Sequence, residues 1–155
     1  MKESQIDLNN STLLETGVIS NNYLLKDNRT VFEKFITPSA NIDIFERMAR
    51  EKSTSIVLPK DLIYSEDGSL INGLLLEYYS GKRITEIPDE LTINELIDIC
   101  QFFEKDVIKL WENGLIIDNV NQNNLLYTKE QQIIMINPEK FYYSEDDYYK
   151  TLLNH

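Results

Sequence analysis

A chain of 155 residues is about one domain long, and at this size folding removes roughly two-thirds of the unfolded chain's surface from water. With 42% hydrophobic and 10% aromatic residues, the composition excludes a disordered chain. A net charge of -11 excludes nucleic-acid phosphates and anionic lipid as partners and leaves a basic partner, or none, as easier to accommodate.

The one cysteine, Cys100, cannot form a disulfide within the chain or a cysteine-based metal cluster, and its place in an apolar helical pattern reads as a buried, reduced thiol. The opening MKESQIDLNN has no apolar signal core, and no run reaches the roughly 20 apolar residues of a membrane span. The expected location is the cytoplasm. Residues before about Asn10 are polar and read as a frayed end. No linker or repeat divides the rest of the chain, so one domain over residues 1–155 is expected.

STLLETGVISNNYLLKDNRTVFEKF reads as two or three short antiparallel strands around turns at Asn21-Asn22 and Asp27-Asn28. NIDIFERMAREK spaces Ile42, Phe45 and Met48 or Ala49 along one face of a short helix, with Asn41 or Ser39 as its cap. SIVLPKDLIY and INGLLLEYY are extended runs flanking SEDGS, a hairpin with Gly68 in its loop. The first half therefore runs β, β, α, β, β, with room for one more strand at its start. Thr92 and Glu95 then form a capping box. Ile93, Leu96, Ile97, Cys100, Phe103, Val107, Leu110 and Trp111 come after it at helical spacing until Gly114, which predicts one helix from about Thr92 to Asn113. GLII, NLLY and QQIIMIN read as short strands, and SEDDYYKTLLNH as a last short helix.

This order of elements, with the loop G-L-I-I-D-N-V-N-Q-N-N-L-L from Gly114 to Leu126, resembles the protein kinase fold, in particular a truncated bacterial pseudokinase. The loop lies over G-I-I-H-G-D-L-x-P-x-N-I-L of bacterial kinase-like proteins. On that register Asn119 falls on the aspartate that takes up the acceptor hydroxyl's proton and Asn124, five residues on, on the metal-binding asparagine. Asn137-Pro138-Glu139 stands where the family carries Asp-Phe-Gly. A rival register puts Asp118 and Asn123 on the two loop positions.

The resemblance implies an α+β fold: a small antiparallel β-sheet lobe with one helix and a hinge over about residues 11–79, then an abbreviated, mainly helical lobe over about 80–155. It further implies Lys34 as the lysine that contacts nucleotide phosphates and Glu46, or alternatively Glu51, as its ion-pair partner. Leu76 falls near the gatekeeper, and Glu77 to Tyr79 supply backbone groups facing an adenine. The chain departs from the family in having only Gly17 before Lys34, with no G-x-G-x-x-G to cradle phosphates.

Phosphoryl transfer needs a proton acceptor and anionic ligands for magnesium. Asn119 cannot act as general base, because an amide takes up no proton near neutral pH. Asn137 offers magnesium one neutral oxygen where a carboxylate is preferred. The sequence therefore favours a catalytically inactive binding, scaffolding or regulatory protein, with no cofactor or weakly bound ATP and magnesium. Two alternatives are a weak or atypical ATP-dependent phosphotransferase using Asp118 or Glu139 as a displaced carboxylate, and an acidic inhibitor or antitoxin-like partner of a basic protein. Taken without the resemblance, Lys34 and Glu46 read as solvated surface charges, Phe103 and Trp111 as core. The only histidine, His155, supports no zinc or histidine-based centre.

Overall fold

A computed structural model describes residues 1–86, 91–118, 125–130, 132–136 and 140–143, with only the backbone described at 85, 117, 118 and 140–143. The chain divides into two compact units: Met1–Lys52 with Leu58–Tyr79, and Ser53–Val57 with Ser80–His155.

In the first unit, β1 (Thr12–Thr16), β2 (Ser20–Leu24), β3 (Thr30–Ser39), β4 (Asp61–Tyr64) and β5 (Ile71–Glu77) form one antiparallel sheet in the order β1-β2-β3-β5-β4. Helix α1 (Ile42–Arg50) lies between β3 and β4 in sequence. The β, β, α, β, β order expected for this half is present, with the extra strand at its start. SIVLPKDLIY, expected as one extended run, yields a strand only after Pro59. Phe32, Ile63 and Leu75 form a buried cluster on one sheet face, with Ile6, Leu8, Tyr23 and Leu25 packed against it. Phe32, fully buried, stacks on Tyr23 with ring centroids 6.4 Å apart.

Gly73 of β5 is paired with Lys34 of β3. A Cβ there would collide with the Glu33 carbonyl and the Phe32 ring, so only glycine fits.

The first residues are not frayed. The backbone bridges Lys2 to Tyr64, the Tyr64 amide donates to the Met1 carbonyl at 2.8 Å, and Lys2 Nζ donates to the Ser65 and Glu66 carbonyls at 2.9 and 2.8 Å. Ile6 and Leu8 supply the reason: two apolar side chains, among polar neighbours, cover the Phe32 cluster and hold the segment down.

The second unit holds β6 (Gly81–Arg83), helix α2 (Ile93–Glu112), β7 (Leu115–Asp118), β8 (Leu125–Thr128), β9 (Ile133–Met135) and β10 (Lys140–Tyr143). β6, β8 and β9 form a three-stranded antiparallel sheet, and β7 pairs with β10. The expectation of a mainly helical second half is overturned here. Among the described residues of this unit, α2 is the one α-helix, accompanied by a 3-10 turn at Ile84–Glu86 and the five short strands β6 to β10. The physical reason is length and pattern. After Gly114, whose positive φ of 86° ends the helix, the apolar runs LII, LLY and IIMI are only three or four residues long and rich in residues that favour extended backbone. They pair as strands and are too short to form a stable helix.

Helix α2 itself agrees with its prediction. Thr92 Oγ1 accepts from the Glu95 amide at 3.2 Å, as an N-cap should. Leu110 is buried, whereas Ile93, Leu96, Ile97 and Phe102 are exposed. Cys100 is exposed as well, which corrects the expected buried thiol: Leu96 and Ile97, one turn before it on the helix, are exposed with it. The predicted helix in SEDDYYKTLLNH, with its Tyr148, Tyr149 and His155, lies outside the described residues.

Among the described residues no helix is long and apolar enough to cross a membrane.

Candidate functional site

Strand alternation decides which side chains of VFEKF share a face. Successive residues point to opposite sides of a sheet, and β2 and β3 keep an unbroken register from Leu24↔Val31 to Ser20↔Phe35. Phe32 is in the buried cluster with Ile63 and Leu75, so Lys34 belongs to that face. Phe35 belongs to the other, and its ring lies 5.4 Å from that of Phe45 on α1. Tyr64 reports the same from β4: it alternates with Ile63, and its hydroxyl donates to Glu46 Oε1 on α1 at 2.9 Å. Helix α1 therefore lies on the side of Glu33 and Phe35, away from Lys34.

Lys34 meets a different partner from the one expected. Its Nζ is 2.7 Å from Glu3 Oε1 in the opening segment, while the other Glu3 oxygen accepts from Asn72 Nδ2 at 3.1 Å. Glu46 is occupied by Tyr64; burial, reinforced by the bond to this carboxylate, raises the Tyr64 hydroxyl pKa. The expected Lys34–Glu46 ion pair is not formed, and sheet parity is the reason. Glu51 succeeds α1 as its C-terminal cap, its amide donating to the Met48 carbonyl at 3.1 Å.

On the α1 side the position is taken by Glu33, which the sequence did not single out. Glu33 is half-buried and directly opposite Asn22 in the ladder. Burial pushes its carboxyl pKa up, against the pull of the Ser20 hydroxyl, which donates to Oε1 at 3.1 Å. Asn22 is only 8% exposed, and among the described residues its Oδ1 has no hydrogen-bond partner. The signal was present in T-V-F-E-K-F: Val31, Glu33 and Phe35 share one period-2 face, Phe32 and Lys34 the other. Both faces are apolar enough that the pattern alone does not say which one meets the helix.

Glu77 ends β5 and forms an ion pair with Lys60 at 3.2 Å. Lys60 Nζ also donates to Thr30 Oγ1 at 2.8 Å, so this end of the sheet is tied by a small polar network. The Tyr78 amide donates to the Arg29 carbonyl at 2.9 Å. Of the three residues expected to offer backbone groups to a ligand, Tyr78 thus spends its donor inside the first unit. Tyr79 is exposed, and partial burial of its hydroxyl, with the Glu77 charge, raises its pKa. Leu76 is buried.

In the second unit β7 comes directly after α2, and its last residue, Asp118, is opposite Lys140 in the backbone register. Asn119, Asn123, Asn124, Asn137 and Glu139 lie outside the described residues. Among the described residues no group of three or more His, Cys, Asp or Glu is placed to hold a metal ion.

One further polar centre escaped the sequence reading. Asp106 on α2 accepts four hydrogen bonds at a single oxygen, from the Ser53 and Thr54 hydroxyls and the Thr54 and Ser55 amides, at 2.8 to 3.0 Å. Burial works to raise its pKa, but these donors outweigh it and the net shift is downward. The bonds hold the Ser53–Val57 segment against α2. Its signal, S-T-S read as a donor cluster, has meaning only once a carboxylate more than fifty positions away is brought beside it.

No known protein-family model matches this chain, and no curated protein matches it.

Proposed function

We propose that this chain works by binding rather than by catalysis, as a cytoplasmic regulatory or scaffolding protein that resembles a pseudokinase in its loop motifs and takes a basic protein as its partner. The observation that carries this reading is the parity of β3. The residue on the α1 side is Glu33, and Lys34 is held on the opposite face by Glu3. A carboxylate where a phosphate-binding cation is required repels a nucleotide triphosphate instead of neutralising it. Asn119 and Asn137 add that the motif positions for base and metal ligand carry amides, which neither take up a proton nor offer magnesium an anionic oxygen. The net charge of -11 favours a basic partner, by long-range attraction and faster encounter.

Thermal denaturation with and without ATP and magnesium, paired with a phosphate-release assay, tests the reading. The expected result is no metal-dependent stabilisation and no turnover. A stabilisation that requires magnesium, accompanied by ATP turnover that Asp118→Ala abolishes, would overturn it in favour of an atypical phosphotransferase.

A further inference from the structure

We propose that the α1-side face of β2 and β3 is a binding site for a protonated amine or guanidinium group, held between the Glu33 carboxylate and the Asn22 side-chain carbonyl. This rests on the reading of the chain as a binding protein for a basic partner, and adds where the cation is received.

Three observations converge. Asn22 and Glu33 are direct cross-strand partners on one face, a placement that brings Cβ atoms to about 5 Å. Asn22 Oδ1 is buried and has no donor among the described residues, which is costly, since an unmet buried acceptor loses its water without replacement. Among the described residues the Glu33 carboxyl receives one side-chain donor, Ser20 Oγ, at one of its two oxygens.

The Asn22 carbonyl and the second Glu33 oxygen are thus acceptors that no described side chain meets. Lys34, the nearest lysine in sequence, cannot correct this from the other face, where Glu3 holds it. A ligand with several N–H donors and a positive charge meets the whole requirement at once. It donates a hydrogen bond to Asn22 Oδ1 and a charge-assisted one to Glu33, and brings the opposite charge that makes ionising the half-buried carboxyl favourable. A guanidinium reaches two acceptors from one planar group, and an ammonium does so with less directional constraint. A phosphate, a carboxylate or a neutral acceptor is rejected by the same atoms.

The test is an NMR titration of the full chain near pH 7 with argininamide, with a short capped Arg/Lys peptide, and with sodium chloride at matched ionic strength. Argininamide is expected to shift the Asn22 side-chain amide and the Glu33 backbone amide saturably. Glu33→Gln should weaken binding at least tenfold while raising the melting temperature at pH 7, because it removes a carboxyl whose ionisation burial opposes. Asn22→Ala should weaken binding several-fold. Tighter binding of the peptide identifies a partner's side chain as the source of the cation, and no gain over argininamide identifies a free small amine.

Shifts that fail to saturate and are reproduced by sodium chloride would overturn the site, as would a Glu33→Gln protein that titrates like the parent. That failure leaves the non-catalytic reading intact if ATP and magnesium are also without effect. ATP turnover would sink the non-catalytic reading whatever argininamide does.

Discussion

Replacing Asp106 with alanine removes the acceptor on which the Ser53–Val57 segment converges. Of its four donors, the two from Thr54 are exposed and compete with water, so they contribute little. The other two come from Ser55, 1% exposed, whose amide donates at 2.8 Å, and from the Ser53 hydroxyl at 2.9 Å. A bond to a charged group contributes about 1.5–3 kcal/mol when well buried. The low end of that range suits a half-buried carboxylate, so about 2–3 kcal/mol is expected for the pair. The Ser55 amide keeps a longer contact to Ser53 Oγ at 3.2 Å, which limits the loss. The same segment pairs with β9, through the Met135 amide to the Ser55 carbonyl at 2.7 Å and the Val57 amide to the Met135 carbonyl at 3.0 Å.

Urea unfolding at pH 7 is the assay, with Asp106→Asn, which keeps one carbonyl acceptor, expected to cost about 1 kcal/mol. The pH dependence has a definite sign. The folded pKa is depressed below 3.8, so the carboxylate's contribution is fully present above that value and is lost as pH falls through the folded pKa. The gap between parent and Asp106→Ala should therefore hold from about pH 7 to about pH 4 and narrow below it. An Asp106→Ala protein within about 0.5 kcal/mol of the parent at pH 7, the scatter of ordinary surface changes, would show that these bonds do not hold the Ser53–Val57 segment in place.

Phe32→Ala should destabilise the chain by about 3–5 kcal/mol in urea unfolding, because it empties the centre of the first unit's cluster. Gly73→Ala should cost about 2–3 kcal/mol, since the new Cβ meets backbone that cannot step aside. A Gly73→Ala protein as stable as the parent would show that β3 and β5 separate easily. Asp67 accepts from the Ser69 hydroxyl and amide and from the Ser65 hydroxyl, which hold its pKa at about 2. Its contribution is present above about pH 4 and lost as pH falls toward about 2. Asp67→Ala should thus lower the melting temperature at about pH 6, and the difference should shrink through that acid window.

The periodic and punctuating residues of the chain were enough to determine its local elements. The three- and four-residue recurrence from Ile93 to Trp111, capped by Thr92 and ended by Gly114, specifies α2, because a helix's hydrogen bonds and its cap are all local. The turn around Gly68 and the strand-forming runs on either side are local for the same reason. Tertiary structure alone decided what each face meets. Ile6 and Leu8 look like stray apolar residues until the Phe32 cluster gives them a surface, and Cys100 looks buried until α2 leaves its first turns uncovered. Lys34 and Glu33 are adjacent in sequence, so assigning either to the helix side depends on which sheet face α1 covers, and period-2 alternation is silent on that choice when both faces are apolar. Asp106 and its serines are more than fifty positions apart, and no local pattern can announce a bond that exists only after the chain has closed that loop.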